Sequence, residues 1–253
     1  MENKNTLPGR REISMRIARS TREVLEAQRL RYRVFGEELG ATLPHAAFGV
    51  DRDRFDRWCD HLIVRDESSD QTIGTYRILP ATRAADAGGF YCDTEFDTRR
   101  LQALGSQVIE VGRACIDPGH RSGAVLGMLW AGLARYIKTH RTKYVLGCAS
   151  IPVGSNPHEA RNLCRRLLTD HLGRSAWQVT PYRPFRLDPP DQAGQSATAI
   201  APIPPLLKGY LRMGATICGE PAWDPQFRTA DLLVLLSVAE MNSRYATRLF
   251  RAA

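Results

Sequence analysis

The sequence has no long apolar run and no cysteine pattern that would indicate export or metal binding. No stretch approaches the roughly 18 consecutive apolar residues that a membrane span needs, and Met1–Asn5 lacks the apolar core of a signal peptide. The six cysteines form no C-x-x-C pair and no zinc-like spacing with histidine. We therefore expect a reduced, cytoplasmic protein whose cysteines are mostly core residues.

Internal repeats and low-complexity tracts are also absent. The 253 residues are 43% apolar and 25% charged, which is the composition of a soluble globular protein. Charge is unbalanced, because 35 lysines and arginines against 27 acidic residues give a net charge of +8. Such an excess favours an anionic partner, whether nucleic acid, an anionic membrane surface or an acidic protein, and does not choose among them.

Hydrophobic periodicity predicts strands and helices that alternate along the chain. The predicted strands are 13–18, 61–65, 72–79, 108–116, 144–150 and 232–236, and the predicted helices are 21–35, 124–139, 157–171 and 206–213. This order implies an α/β protein with a mixed sheet and helices on its faces. We expect residues 1–12 to be a flexible lead and 13–253 a single domain. Within it, 181–225 holds nine of the fifteen prolines and is predicted to be an ordered excursion.

The segment Ser106–Trp130 organises the prediction of a site. It reads as a strand, a Gly-bearing turn and an apolar helix, with Glu110 and Arg113 inside the strand, where charge is expensive to bury without a partner. A carboxylate on a strand that leads through a turn into a helix N-terminus suits catalysis beside a phosphate. The alternative is a buried ion pair in an ordinary α/β domain.

Strand alternation separates the two charged residues. In a regular strand Glu110 and Arg113 point to opposite faces and cannot pair directly. Gly112 lies between them and is the natural place for a bulge or a close backbone approach. Such an irregularity would re-aim one side chain and leave a backbone N–H free to meet an oxyanion.

The segment 40–58 carries the charge pattern D-R-D-R-F-D-R together with Pro44 and Gly49. These features indicate a mobile or binding loop. Taken alone, the charge pattern favours a solvated charged turn.

Six segments, taken in their order and spacing, resemble the GNAT-fold N-acyltransferases, and among these the ornithine N-acyltransferases that use acyl carrier protein. The segments are L-R-Y-R-V-F-G-E-E-L-G (30–40), F-D-R-W-C-D-H-L-I-V (55–64), G-T-Y-R-I-L-P (74–80), E-V-G-R-A-C-I-D-P (110–118), L-W-A-G-L-A (129–134) and L-L-K-G-Y-L-R-M-G-A (206–215). The resemblance implies a GNAT-like mixed, mostly antiparallel central sheet flanked by helices.

The same skeleton is similar to the acyl-homoserine-lactone synthases. That likeness implies functional positions at Arg31, Phe35, Asp53, Asp56, Arg77, Glu110 and Arg113. Those synthases usually carry a tryptophan shortly after the phenylalanine, and Ala41 stands about there. The difference weakens a lactone-synthase assignment.

The reaction implied by the resemblance moves a fatty acyl group, of the 3-hydroxyacyl kind, from a phosphopantetheine thioester to the α-amine of L-ornithine, the first step of ornithine lipid biosynthesis. An α-amine is mostly protonated near neutral pH, so a base must take its proton, and Glu110 is the candidate, acting directly or through a water. The structural alternative for Glu110 is a simple ion pair with Arg113 or Arg77.

The remaining implied roles concern binding. Acceptor binding falls to Arg31, Phe35, Asp53, Asp56 and Arg77, with Arg77 or Arg113 as the clamp for the α-carboxylate. The donor phosphopantetheine is expected at Ile116, Arg121, Ser122, Gly123 and Ala124. That turn only partly matches the Gly-rich loop of coenzyme-A-using GNAT enzymes, so a carrier-protein thioester fits it better. We expect no metal and no cofactor apart from this donor thioester.

Other functions stay open at this stage. Within the enzyme class, another amino acid acceptor or a lactone-type synthase is the alternative. From another class, a non-catalytic basic protein that binds nucleic acid or membrane explains the charge, and an exposed Glu110 with no groove beside it would favour that function. The acyltransferase hypothesis implies no nucleic acid partner. It implies peripheral contact with the inner face of an anionic membrane, for which the excursion 181–225 is the candidate.

Overall fold

The computed structural model describes residues 12–121, 123–187 and 200–251. The strands are β1 (Ile13–Ile17), β2 (Asp60–Asp66), β3 (Gln71–Pro80), β4 (Phe96–Asp97), β5 (Val108–Ile116), β6 (Tyr144–Pro152), β7 (Thr180–Pro181), β8 (Thr216–Ile217), β9 (Ala222–Asp224) and β10 (Thr229–Ser237). The helices are α1 (Thr21–Arg31), α2 (Ala81–Ala84), α3 (Ala124–Thr139), α4 (Pro157–His171), α5 (Pro205–Met213) and α6 (Ser243–Arg251).

One eight-stranded sheet forms the centre of the molecule. Its order is β1-β2-β3-β5-β6-β10-β8, with β9 paired to another part of β10, while β4 and β7 form a separate two-stranded pair. Every neighbouring pair is antiparallel except β5 and β6. The predicted mixed, mostly antiparallel sheet with flanking helices is thus confirmed.

Helices cover both faces of the sheet. Helix α3 places its apolar residues four apart, at Val125, Leu129 and Leu133, and this stripe packs on the main core together with α4, α5 and α6. The approach is close at Gly132, where a Cβ would lie 2.6 Å from the sulfur of Met15. Helix α1 packs on the other side, so the two sides are called the α3 face and the α1 face.

Alternation along the strands sorts the charged residues from the main core. On β5, Ile109 and Val111 belong to the core of the α3 face, and Glu110 between them points to the α1 face. On β10, Leu232 and its even-numbered neighbours likewise join the α3-face core. Asp231 therefore points to the α1 face.

Two boundaries differ from the predictions made on periodicity. The predicted helix 21–35 is α-helical only as far as Arg31 and continues as a π-helix over Tyr32–Glu38, with Leu39 N–H donating to the Val34 carbonyl. A stripe of apolar residues does not distinguish the two hydrogen-bond patterns. The last strand begins at Thr229, three residues before the predicted start, because Asp231 reads as a breaker in the sequence.

The Pro-rich stretch 181–225 is described except for 188–199. It contributes β8 and β9, both of which pair with β10. Its helix α5 buries Leu207, Tyr210 and Met213 in the α3-face core. The lead, 1–11, lies outside the described residues.

Candidate active site

Strands β5 and β6 begin as neighbours and then separate. They pair in parallel over three positions, ending at Glu110 opposite Leu146, although each strand continues for six more residues. The residue after the last pair is Gly147, where a Cβ would lie 2.7 Å from the carbonyl oxygen of Val111. Beyond this point a cavity of about 650 Å³ opens between the two strands.

The cavity reaches both faces of the sheet and changes character between them. Consecutive residues of β3 illustrate this, since Arg77 lines it on the α1 face and Tyr76 lines it on the α3 face. Glu110 belongs to the charged side. On the other side the wall is made by apolar side chains such as Val111 and Leu207. The arrangement suits a ligand with one charged end and one apolar end.

A bulge in β5 brings Arg113 to the charged side. The register with β3 shifts between Thr75 and Arg77, so that one residue of β3 lies opposite both Arg113 and Ala114. Arg113 has a φ of 51°, which a residue with a side chain rarely adopts. The predicted bulge is confirmed, one residue later than Gly112. In a regular strand Arg113 would point to the α3 face, and the bulge turns it to the α1 face.

Glu110 is buried, with 5% of its surface exposed. Its Oε2 accepts a hydrogen bond from the backbone N–H of Tyr91 at 2.6 Å, and its Oε1 accepts one from that of Cys92 at 2.7 Å. Burial raises the pKa of Glu110, although these two bonds favour the charged form. The thiol of Cys92 also interacts with the carboxylate, which still has acceptor capacity left for another ligand. The carboxylate thus lies buried beside a cavity, an arrangement that favours an enzyme over a passive basic protein.

The loop that carries D-R-D-R-F-D-R is tied to the sheet by buried ion pairs. Arg31 of α1 is fully buried, with Nε 2.9 Å from Oδ2 of Asp51 and Nη2 2.8 Å from Oδ1 of Asp56. Arg77 of β3 has its Nη1 2.7 Å from Oδ1 of Asp53 and 3.5 Å from Oδ2 of Asp56. The structure therefore brings together in one charge cluster Arg31, Asp53, Asp56 and Arg77, four of the five residues that the sequence assigns to acceptor binding.

Asp51 and Arg113 extend this cluster. Nε of Arg113 lies 3.2 Å from Oδ2 of Asp51, and its Nη2 lies 3.5 Å from Oδ2 of Asp53. Sequence reasoning missed Asp51 because the D-x-x-D motif selects Asp53 and Asp56. The alternation of Asp51 with Asp53, which places both on one side of an extended segment, was the available signal.

Aromatic rings enclose the guanidinium of Arg113. Its Cζ lies 5.0 Å from the ring centre of Tyr91 and 4.5 Å from that of Phe227. Phe35, which the sequence places among the binding residues, contacts Phe227 edge-on with ring centres 5.6 Å apart. All four side chains line the cavity. A carboxylate held by Arg113 would therefore be flanked by rings that exclude water.

The turn expected to bind the donor follows the outer end of β5. Gly123 caps α3 with a φ of 90°, and Ala124 is the first residue of the helix. Arg121 places both terminal nitrogens 2.7 Å from the carboxylate of Glu38 and donates from Nε to the carbonyl of Ile116 at 3.2 Å. Its charge is thus already paired. Ser122, also expected here, lies outside the described residues.

The apolar side of the cavity contains one polar pair. The hydroxyls of Tyr76 and Tyr210 hydrogen-bond to each other, and both side chains are almost fully buried. Trp130 packs edge-on against Tyr210, with ring centres 4.8 Å apart. Two hydroxyls paired in this way retain hydrogen-bonding capacity toward a ligand.

A second acidic group, which sequence reasoning did not find, lies on the charged side. Glu95, Asp224 and Asp231 place carboxylate oxygens within 4.8 Å of one another. Such a group is able to hold a cation. The signal was weak because the three residues are far apart in the sequence, and only the alternation of β10 turns Asp231 toward the others.

Comparison with known proteins gives three findings. Residues 30–131 match the acetyltransferase (GNAT) domain family. An L-ornithine N(alpha)-acyltransferase from Agrobacterium fabrum is 39% identical over 247 residues, which cover 92% of this chain and 83% of that protein. One from Rhodobacter capsulatus is 35% identical over 240 residues, covering 91% of this chain and 92% of the relative.

Among solved structures, an N-acyl amino acid synthase from uncultured soil microbes shares the fold. It aligns with a TM-score of 0.54 and 15% sequence identity, covering 96% of this chain and all of that chain (100%). At this identity the likeness concerns the fold alone.

Proposed function

The chain belongs to the family of L-ornithine Nα-acyltransferases, and we propose that it transfers a fatty acyl group from acyl carrier protein to the α-amine of L-ornithine. The observation that carries this proposal is Glu110, a buried carboxylate beside a cavity that is charged on one face of the sheet and apolar on the other. The acceptor is a small charged molecule and the donor chain is apolar. The two faces match these two substrates.

The acceptor binds on the α1 face. Arg113 clamps its α-carboxylate, because the guanidinium lies in the cavity wall between two rings and its planar fork suits a carboxylate, although it also contacts Asp51 and Asp53. Arg77 has Asp53 and Asp56 close to one terminal nitrogen and acts mainly to hold the loop. Arg31, Asp53 and Asp56 then position the loop rather than touch the substrate.

Glu110 prepares the amine. The pKa of Glu110 is raised toward the pKa of the α-ammonium, whose proton it must accept, and this makes Glu110 a better general base. The free lone pairs of its carboxylate receive a proton from the α-ammonium, directly or through a water. The two backbone N–H groups of Tyr91 and Cys92 hold the carboxylate in place throughout.

The freed amine attacks the thioester carbonyl carbon and forms the C–N bond. The oxyanion of the tetrahedral intermediate is stabilised by backbone N–H groups of the bulge around Arg113 and Ala114. Collapse breaks the C–S bond and restores the carbonyl, and the nitrogen loses its second proton, giving the amide. The pantetheine sulfur leaves as a thiolate, which needs little acid assistance because a thiol has a pKa of roughly 8.5. One proton is released overall when the thiol forms.

The acyl chain lies on the α3 face. Leu206 and Leu207 of α5 line that side of the cavity, so the Pro-rich stretch contributes to the acyl path. The hydroxyls of Tyr76 and Tyr210 are the polar groups that a 3-hydroxyl on the chain would meet there. The phosphopantetheine arm enters past the N-terminus of α3, along Ile116, Gly123 and Ala124.

Among the described residues, no helix is long and apolar enough to cross a membrane. The amide product nevertheless carries a fatty chain that must reach a bilayer. Lys208 and Arg212 are exposed on α5, close to Ile203 and Leu211. An anionic surface attracts such residues by about 1 kcal/mol each, which suits reversible docking. Co-sedimentation with anionic but not neutral vesicles, lost when both cations become glutamate, is the expected result.

The direct test of the proposed activity is a reconstituted reaction. Purified protein is incubated with acyl carrier protein loaded with a 3-hydroxyacyl chain and with single amino acids, and the amide is identified by mass. We expect acylation of L-ornithine above other acceptors. Acylation of a different amino acid would reassign the acceptor, and formation of a homoserine lactone product from its precursor would point to the lactone-type alternative.

A further inference from the structure

The acidic group on the charged side of the cavity is built from unusually buried carboxylates. Asp224 and Asp231 are 7% and 3% exposed, and both line the cavity. Arg113 acts on Asp231 electrostatically, but in the described ranges no lysine, arginine or histidine forms an ion pair with Glu95, Asp224 or Asp231. Acidic side chains are rarely buried without a cationic partner, since the uncompensated charge is costly.

Hydrogen bonds within the protein satisfy these carboxylates only in part. Oδ1 of Asp224 accepts the backbone N–H groups of Gln226 and Phe227 at 2.7 and 3.1 Å, and Oδ1 of Asp231 accepts the hydroxyl of Thr229 at 2.6 Å. The side chains of Tyr91 and Cys148 interact with the Glu95 carboxyl and favour its charged form, but its buried Oε2 makes no regular hydrogen bond among the described residues. The group therefore retains unused acceptors.

The three carboxyl groups influence one another, and Glu95 and Asp231 are driven toward their neutral forms when no cation is bound. Burial, followed by repulsion from Asp231, raises the pKa of Glu95 to about 8. Burial also raises the pKa of Asp231 to about 6, with Asp224 adding to the effect. Such groups lack a positive charge that a ligand would supply.

The group lies within reach of the catalytic carboxylate. The thiol of Cys148 on β6 is acted on electrostatically by Glu95, by Asp231 and by Glu110, so all of them surround it. Cys148 itself lines the cavity. Asp224 and Asp231 therefore share one cavity wall with Glu110, and Glu95 adjoins them.

We propose that Glu95, Asp224 and Asp231 bind the side-chain ammonium of the acceptor and so select a cationic amino acid. This inference rests on the proposed function and deepens it. With its α-carboxylate on Arg113 and its α-amine at Glu110, L-ornithine extends three methylene groups toward the acidic group. The terminal ammonium, a donor of three hydrogen bonds, then meets three carboxylates.

The spacing of the oxygens suits an ammonium. Acceptors about 2.8 Å from a tetrahedral nitrogen lie roughly 4.6 Å apart, which is compatible with the limit of 4.8 Å observed here. A divalent metal is the other occupant that such a group admits, and it demands six or more oxygen ligands at about 2.0–2.6 Å. The test below makes metal binding one of its outcomes.

The experiment compares L-ornithine with L-norvaline, which has the same carbon chain and lacks the terminal amine. Binding is measured by titration calorimetry without donor, and kcat/KM is measured with loaded carrier protein. A site built around a polar group rejects an analogue lacking it by about 10³-fold or more. We expect this preference in the wild type. In Asp231→Asn and in Glu95→Gln, the ratio of kcat/KM for L-ornithine to kcat/KM for L-norvaline should fall by about 10²-fold.

Asp170→Asn is the matched control, because Asp170 is half-exposed on α4 and pairs with Arg166. It should leave the ratio unchanged. An ornithine-to-norvaline ratio that is unchanged in both test variants would overturn the inference. So would the finding that the wild type binds Mn²⁺ and that the variants lose this binding but keep the wild-type selectivity. If the wild type acylates no acceptor, the proposed function fails, and calorimetry still decides whether the acidic group binds ornithine over norvaline.

Discussion

At the scale of the residue, the site depends on carboxylates that differ in their surroundings. Glu110 is buried and held by two backbone N–H groups, whereas Asp56 lies against two guanidiniums. Burial opposes ionisation of Asp56, but Arg31 and Arg77 hold its pKa well below the usual range. The pKa of Glu110 shifts upward instead. One carboxylate is therefore suited to accept a proton and the other to remain a structural anion.

Replacing Glu110 with glutamine tests its role as a base. Glu110→Gln retains the size of the side chain but cannot take a proton, so kcat should fall by roughly 10²–10⁴. The wild-type rate should rise with pH through the raised pKa of Glu110, and this limb should vanish in the variant. Initial rates across pH measure both effects.

The control for this variant is Glu220→Gln, at an exposed position. It should retain the wild-type rate and pH profile. Near-normal turnover in Glu110→Gln, with circular dichroism unchanged, would assign Glu110 a structural role.

A second prediction at this scale concerns stability and pH at Asp231. The folded protein holds this proton up to about pH 6, whereas the unfolded chain loses it near the ordinary value. Stability is therefore full below the unfolded pKa and falls as pH rises through the folded pKa. Asp231→Asn cannot ionise, so its melting temperature relative to the wild type should increase between about pH 4 and pH 8.

The size of that gain follows from the shift itself, at roughly 1.4 kcal/mol for each pKa unit. Differential scanning calorimetry at both pH values measures it. Equal differences in melting temperature at the two pH values would show that Asp231 is not a destabilising buried acid.

At the scale of the element, helix α1 holds the loop over the cavity through one side chain. Arg31 is fully buried and joins Asp51 to Asp56. Removing one partner of a buried pair leaves the others charged and uncompensated. We expect Arg31→Ala to lower the free energy of unfolding by about 3–5 kcal/mol in urea denaturation.

Arg22 on the same helix provides the comparison. Its side chain is 75% exposed and pairs with Glu26 and Asp70 at the surface. Arg22→Ala should change stability by no more than about 1 kcal/mol. Similar losses in the two variants would argue against a structural role for the buried cluster.

The elements also show how far sequence reasoning reaches. Periodicity predicted β5, the turn and α3, because each has a regular apolar pattern. The bulge was predicted from the conflict between Glu110 and Arg113, but its position was taken from Gly112, and a non-glycine residue adopts the positive φ instead. Backbone strain at an arginine has no sequence signal.

Residues that come together only through the sheet were missed. Asp231 belongs to a strand whose register with β6 places it opposite Ser150, and no local pattern reveals that pairing. Glu95 follows a short 3₁₀ turn and has no periodic context. The resemblance to known motifs identified Arg31 and Asp56, whereas none of those motifs contains the residues of the acidic group.

At the scale of the whole molecule, the sheet divides the cavity into a charged side and an apolar side. Charged residues face α1, the apolar wall faces α3, and the gap between β5 and β6 joins the two sides. This division explains why the net charge of +8 does not by itself identify the partner. In the proposed function, the net charge acts at the surface on the approach of the carrier protein, and the chemistry takes place in the gap between β5 and β6.

The carrier-protein hypothesis predicts a salt dependence. Attraction between a basic enzyme and an acidic carrier weakens as the Debye length falls from about 30 Å at 0.01 M to about 8 Å at 0.15 M salt. KM for the carrier thioester should therefore rise with salt. Arg33→Glu should raise it further, since Arg33 is 46% exposed beside Asp117 at the donor turn.

Arg166, 60% exposed on α4, provides the control, and Arg166→Glu should have little effect. If free acyl-CoA served as well as the carrier thioester and salt changed nothing, the carrier hypothesis would be wrong.

The position of the new amide on L-ornithine tests the proposed binding mode most directly. The acceptor has two amines, and we place the α-amine at Glu110 and the terminal amine in the acidic group. Tandem mass spectrometry of the product distinguishes the two. This placement of the two amines predicts Nα-acylornithine with a free terminal amine, and its rate of formation should fall in Glu110→Gln. Acylation of the terminal amine, or an unchanged rate in that variant, would contradict it.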